Sequence, residues 1–261
     1  MKWGRRAKAG SEVVVSEEDG VRYLHLGGDH IQSAMRIEAP DDLELDYTRT
    51  MMAFLLFHPR PKDCLMVGLG GGSIPKFIYR RLPSVRTRVV ELSQPVITTA
   101  RSLFKVPADC TRLRVELGDG AKAVHAAEAE FDLLFVDGFE DGAQVPDLVS
   151  EEFYAAAFRA LRDRGVMVVN FFGHDRKFDR YLKRIEATFS GCVICLDARE
   201  DGNVIVFALK GCPTSIPWLE LRRCAAKLEE KLGLPFDSFV SGLRKHNRWT
   251  RGALLLSPGE D

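Results

Sequence analysis

The first stretch of the chain alternates, and then the period changes. Val13–Val15, Val21–Leu26 and His30–Ile37 are short, extended-looking runs separated by Asp19-Gly20 and Gly27-Gly28. Such runs, cut by glycine pairs, predict a hairpin or small antiparallel sheet. Pro40-Asp41-Asp42 breaks the pattern. Asp46–Phe57 then carries an apolar stripe through Met51, Phe54 and Leu55, which is helical spacing. Pro59 and Pro61 end it.

From Asp63 onward, β-rich runs alternate with helical ones. The predicted strands are Cys64–Val67, Arg88–Glu91, Leu113–Leu117, Leu133–Asp137 and Val166–Asn170. Between them lie predicted helices Ile74–Arg81, Gln94–Phe104, Ala121–Ala129 and Glu151–Arg162. This alternation predicts a parallel sheet covered on both faces. A helix over Lys177–Phe189 and strands Val193–Leu196 and Val204–Leu209 follow, the strands joined by Asp201-Gly202-Asn203. That tripeptide is a hairpin signal, so the sheet is expected to finish with an antiparallel pair. In Pro217–Gly233 the residues Trp218, Leu221, Ala225, Leu228 and Leu232 mark an amphipathic helix. The expected organisation is a small N-terminal β domain over 1–45 and a Rossmann-like, seven-stranded α/β domain with a helical tail over 46–261.

Charge narrows the partners. The chain of 261 residues balances 37 Lys+Arg against 37 Asp+Glu, with 46% apolar residues. Binding to nucleic acid or to a membrane surface draws on a basic excess, which is absent here. No run approaches the about 18 apolar residues of a bilayer span. Three valines after the basic Met1–Gly10 are too few for a signal-peptide apolar region, so the expected location is cytoplasmic. The six cysteines (64, 110, 192, 195, 212, 224) are expected as buried thiols, not disulfides. Cys192-Val-Ile-Cys195 falls in a predicted strand, where residues three apart face opposite sides, so it is set aside as a metal or redox pair. The histidines form no H-x-x-x-H pair, and no G-x-S-x-G occurs.

The chemistry gathers at strand ends. Gly68-Leu69-Gly70-Gly71-Gly72-Ser73 lies between a strand and a helix, where glycines permit a sharp turn and close approach of a ligand to the backbone. The spacing is Gly68-x-Gly70-x-Gly72, not G-x-G-x-x-G, because Ser73 stands where the third glycine belongs. Proteins that bind S-adenosylmethionine or its relatives favour this spacing. Glu91 closes the second strand, where a carboxylate suits two ribose hydroxyls. Gly118-Asp119-Gly120 closes the third, where an acid suits an adenine amino group. Asp137 closes the fourth. Ligands of doubly wound sheets bind outside the carboxyl ends of strands. Each acid taken alone fits a cap or turn equally well.

In this order the residues resemble the polyamine aminopropyltransferases, the spermidine synthase family. The resemblance spans Tyr23 to Leu209 and rests on the Gly68–Gly72 loop, Glu91-Leu-Ser-Gln-Pro-Val-Ile97, Gly118-Asp119-Gly120, Phe131-Asp-Leu-Leu-Phe-Val-Asp137, Ser150-Glu-Glu-Phe-Tyr154, Leu161-Arg-Asp-Arg-Gly-Val166 and His30-Ile-Gln32. It implies transfer of an aminopropyl group from decarboxylated S-adenosylmethionine to a small-molecule amine, releasing 5'-methylthioadenosine, with no tightly bound cofactor and no metal. An alkylamine has a pKa of about 10 and must shed a proton before it attacks. The resemblance assigns that base to Asp137. It assigns the nucleoside to Gln32, Gly68, Gly70, Gly72, Glu91, Asp119 and Gly120, and the amine to Tyr47, Glu140 and Asp141. It also points to a homodimer.

Two departures stand out. The family's G-G-G-D-G acid is replaced by Ser73, and its Tyr-Gln/His-Glu triplet reads Tyr47-Thr48-Arg49. Losing a carboxylate and gaining a guanidinium predicts weaker grip on an ammonium and, instead, grip on a carboxylate. The donor would then be S-adenosylmethionine itself, or the acceptor would be acidic. A methyltransferase and a noncatalytic nucleoside-binding relative therefore remain open beside the transferase. Glu151 and Glu152, after Ser150, fit ordinary helix-end electrostatics.

Overall fold

The computed structural model describes residues 13–26, 31–140, 143–200 and 202–256. Strands β1 (Val13–Glu18), β2 (Val21–Leu26) and β3 (Ile31–Arg36) form an antiparallel sheet of three strands. Leu24 and Met35 of that sheet pack on Phe104. Helix α1 (Asp46–Met51) runs into a 3-10 turn, Met52–Leu56. The predicted single helix is therefore two, and its stripe of Met51, Phe54 and Leu55 is buried as the spacing requires.

The central layer follows as β4 (Asp63–Val67), α2 (Ser73–Arg81), β5 (Arg86–Glu91), α3 (Gln94–Ser102), β6 (Leu113–Leu117), α4 (Gly120–Ala126) and β7 (Phe131–Val136). A short hairpin, β8 (Phe139–Glu140) with β9 (Ala143–Gln144), leads to α5 (Glu151–Ala160), β10 (Leu161–Phe172), α6 (Phe178–Thr188), β11 (Val193–Ala198) and β12 (Asn203–Leu209). Seven strands share one sheet in the order β11-β12-β10-β7-β4-β5-β6. β12 is antiparallel to both of its neighbours and lies between β10 and β11. The predicted Rossmann-like sheet, its antiparallel finish and the small N-terminal sheet are all present. The reversal of order at β4, where chain direction in the sheet switches sides, is where such sheets hold ligands.

Local chemistry explains the helix starts. Ser93, Asp119 and Ser150 each accept a bond from the backbone N–H three residues on, the ordinary N-cap contact. Helix α5 stops at Ala160, short of the predicted Arg162. The carbonyls of Arg159 and Ala160 accept from Ala129 and Glu130, which draws the chain into β10. The strand then bulges between Leu161 and Val166 before regaining register with β7.

The tail is β13 (Ser215–Pro217), α7 (Trp218–Leu232), α8 (Phe236–Gly242) and β14 (Ala253–Leu255). Trp218, Leu221, Ala225 and Leu232 are buried in the same core as the sheet, so the predicted amphipathic helix packs on its own domain. α8 and the β13–β14 pair carry no clear period in the sequence. At the free edge of β11, the Asn247 amide bonds Cys195 twice: its Oδ1 accepts from the Cys195 N–H (2.8 Å) and its Nδ2 donates to the Cys195 carbonyl (2.7 Å).

One cysteine expectation fails. Cys192 and Cys212 form a disulfide. The Leu209 N–H donates to the Cys192 carbonyl, so the register of β11 against β12 carries Cys212 to within reach, with Cα atoms 6.0 Å apart. Cys64 and Cys195 are free and buried as expected, whereas free Cys110 is exposed and free Cys224 half-buried, which corrects the expectation of burial there.

Candidate active site

The glycine loop and the acids meet at the carboxyl edge. Gly68, Gly70 and Gly72 all have left-handed φ, at 93°, 54° and 71°. At Gly68 space matters as much as φ: an added Cβ would lie 2.3 Å from the Asp137 carbonyl oxygen. Glycine thus lets the ends of β4 and β7 touch. An added Cβ on Gly120 would lie 2.3 Å from the Val67 side chain, so that glycine brings α4 close to β4.

Glu91, at the end of β5, holds the loop. Its Oε2 accepts from the Leu69 N–H (2.8 Å) and its Oε1 from the Ser93 N–H (2.9 Å). Burial raises its pKa, opposed by these N–H groups and those of Leu92 and Gly70. The Leu69 and Ser93 bonds use one acceptor site on each carboxylate oxygen. Asp119 lies one loop over, because the Gly118 N–H donates to the Glu91 carbonyl. Its Oδ1 caps α4 through Lys122 N–H (3.2 Å), and its Oδ2 lies 3.5 Å from Lys122 Nζ. Leu92 and Leu117, beside these acids, are exposed apolar residues.

Asp137 is bonded by side chains. Asn170 Nδ2 donates to Oδ1 at 3.0 Å, and the Tyr47 hydroxyl lies 3.4 Å from Oδ2. The same hydroxyl lies 3.4 Å from the Gln32 carbonyl, and Gln32 in turn borders Gly70. Desolvation raises the Asp137 pKa, against the bonds from Asn170 and Tyr47. Asn170 is itself fixed: its Oδ1 accepts from Asn203 Nδ2 (2.7 Å) and its carbonyl from Gln144 Nε2 (2.6 Å). With Oδ1 occupied by a donor, Asn170 must present its NH₂ to Asp137. No motif in the sequence marks Asn170, Asn203 or Gln144. The available signal was a lone amide ending the apolar run Val166–Val169.

Gln32, Tyr47, Gly68, Gly70, Gly72, Glu91, Asp119, Gly120 and Asp137 therefore share one edge. Glu140 is placed by its backbone alone, in β8, and Asp141 lies outside the described residues, as does His30. The two departures have other employment. Ser73 is buried, its hydroxyl 3.3 Å from the Ala34 carbonyl and 3.4 Å from Ser33 Oγ in β3. Arg49 donates through Nε to the Leu43 carbonyl and through Nη2 to the Glu44 carbonyl, both at 2.7 Å. The expected carboxylate-gripping arginine is a brace for the segment entering α1.

Fold and site together define a class: a doubly wound α/β protein with a glycine loop and acids at the ends of successive strands. Residues 44–193 match the spermine/spermidine synthase domain. The polyamine aminopropyltransferase of Chromobacterium violaceum is 40% identical over 246 residues, covering 94% of this chain and 94% of that one. The chain belongs to the spermine/spermidine synthase family, and it is a transferase. In fold it is similar to a probable spermidine synthase from Corynebacterium glutamicum, with TM-score 0.71, 18% identity, and coverage of 94% of this chain and 99% of that chain. Human methyltransferase-like protein 13 in complex with SAH is also similar, with TM-score 0.66, 22% identity, and coverage of 80% and 96%.

Proposed function

We propose that the protein moves an aminopropyl group from decarboxylated S-adenosylmethionine to a small amine, with Asp137 as general base. The observation that carries this reading is the Asp137 carboxylate, which burial has made more basic than an ordinary aspartate, beside the glycine loop and between Tyr47 and Asn170. Family membership supports the donor and the group transferred. The fold alone does not, since a methyltransferase shares it.

On this reading the Gly68–Gly72 loop and Glu91 take the ribose, Asp119 takes the adenine amino group, and Leu92 and Leu117 flank the ring. Gln32 borders the nucleoside. The acceptor ammonium docks on Asp137, with Tyr47 beside it, and Glu140 and Asp141 are the further acids assigned to the amine. Asp137 takes a proton, and the freed lone pair attacks the methylene carbon next to the sulfonium. The C–N bond forms as the C–S bond breaks, and sulfur keeps the bonding pair. 5'-Methylthioadenosine leaves neutral, the product amine remains cationic, and the proton on Asp137 passes to solvent. Acid–base assistance of this kind contributes roughly 10²–10⁴ in rate. The enzyme acts in the cytoplasm as a homodimer.

The test is product analysis with decarboxylated S-adenosylmethionine and a panel of diamines, run beside S-adenosylmethionine. Release of 5'-methylthioadenosine with an aminopropylated amine is expected from the first donor only. Methyl transfer from the second donor sinks this reading in favour of a methyltransferase. Binding without turnover on every amine makes the chain a silent binder.

A further inference from the structure

We propose that the cleft between the β11–β12 hairpin and the turn after α8 binds a phosphate-bearing small anion, with Arg199 and Arg244 as its forks. The cleft has a volume of about 420 Å³ and is lined by Leu196, Asp197, Arg199, Ser241, Gly242, Arg244 and Lys245. That volume lies in the range of about 300–1,000 Å³ usual for small-molecule sites. It lies at the β11 end of the sheet, away from the loops that carry Glu91 and Asp119. None of its lining residues serves the transferase reading.

Arg244 is the anchor. Its guanidinium stands over the Trp218 ring at 4.9 Å and the Trp249 ring at 5.2 Å. Both rings are themselves fixed: Trp218 Nε1 donates to the Thr250 carbonyl, and Trp249 Nε1 to the Arg244 carbonyl. A guanidinium in contact with aromatic rings still carries its five N–H donors. Among the described residues, no carboxylate or carbonyl accepts from the Arg244 or Arg199 guanidinium. The one carboxylate lining the cleft, Asp197, is already paired with Lys245 Nζ and with His246 Nε2. Three cations against one carboxylate leave two positive charges, and the Ser241 hydroxyl adds a neutral donor. Phosphate suits this set because its oxygens accept paired N–H bonds from planar guanidinium groups.

The hairpin that carries Arg199 also supports the catalytic edge. The Glu200 N–H donates to Asp46 Oδ2 at 3.3 Å, next to Tyr47, and Asn203 donates to Asn170. An anion bridging Arg199 to Arg244 therefore ties down the connection on which both neighbours of Asp137 depend. The site differs from the transferase site, and its test needs neither donor nor amine.

The test is calorimetric titration of the full chain with inorganic phosphate, inorganic pyrophosphate and glycerol phosphate, at constant ionic strength set by chloride. Saturable binding with Kd below about 1 mM is expected for at least one probe. Arg199→Gln and Arg244→Gln should each weaken it by about tenfold or more, as loss of a charge-assisted bond implies. Preference for glycerol phosphate over the inorganic probes identifies an esterified ligand, and the reverse identifies the free anion. Thermal melts check that each variant is folded. Arg199 is on an exposed hairpin, so its variant decides if Arg244→Gln loosens the tryptophans. The proposal is overturned by no saturable binding to any probe, or by binding that folded variants leave within about twofold.

Discussion

Glu91 and Asp137 end the two strands that flank β4, and burial raises the pKa of both, yet the groups that favour their ionised forms differ. Glu91 is held by backbone N–H groups, from Ser93 two residues on and from Leu69 in the glycine loop after the neighbouring strand β4. Asp137 is held by side chains from residues 47 and 170, with residues 144 and 203 behind them. A backbone cradle depends on glycine and turn geometry, so single side-chain changes elsewhere leave it intact. A side-chain cradle is assembled only when four distant segments fold together, and each of its members can be removed alone.

The largest effect expected from that contrast is on Asp137 itself. Asp137→Asn should lower kcat by roughly 10²–10⁴, the worth of a general base, while calorimetric donor affinity stays within about threefold. A variant retaining a third of the wild-type kcat would remove Asp137 from the chemistry. On the backbone side, Gly68→Ala introduces a Cβ 2.3 Å from a carbonyl oxygen at φ 93°. It should cost roughly 2–4 kcal/mol in urea unfolding and abolish donor binding, because both strain and clash act on the loop. Next comes Asn170→Ala. It removes a bond that favours the ionised Asp137, so the carboxyl pKa, already raised, rises further. With Asp137 as the proposed general base, the rate falls as pH drops through that pKa. The acid limb of the kcat/KM profile should move to higher pH, with kcat down about tenfold at neutral pH. An unmoved acid limb would make Asn170 a packing residue only. Smallest is Arg49→Met, which orphans two carbonyls. About 1–2 kcal/mol of stability should be lost, with amine KM unchanged within about twofold. A large KM effect would restore Arg49 to the acceptor site.

The same contrast explains what could be read from the residues alone. Asp119 and Ser150 cap helices through N–H groups three positions on, and the Gly68–Gly72 loop and Glu91 each stand at the end of a strand that its own period marks, so these features are legible in local spacing. The alternating β and α periods predict the sheet for the same reason. Asn170 and Asn203 belong to strands whose pairing is set by the whole sheet, and no local pattern marks two amides as partners. The Cys192–Cys212 disulfide is not legible locally, because the meeting of the two thiols depends on the β11–β12 register. The direction of Arg49 is likewise hidden, because a guanidinium has the reach to bond carbonyls behind it and residue type does not tell direction.

The Asn247 amide has a consequence for how copies of this chain behave toward one another. β11 is the last strand of its sheet, and its unpaired backbone groups are a template on which another strand can add. By accepting from the Cys195 N–H and donating to its carbonyl, Asn247 occupies the place a neighbouring strand's peptide would take. Cys195 then offers neither backbone group to a further strand. Asn247→Ala should therefore show itself less in the melting temperature than in light scattering on mild heating, where the uncovered edge adds strands from other molecules. If scattering stays at the wild-type level while the edge is bare, the surrounding Asp197, Lys245 and His246 charges suffice to keep the molecules apart.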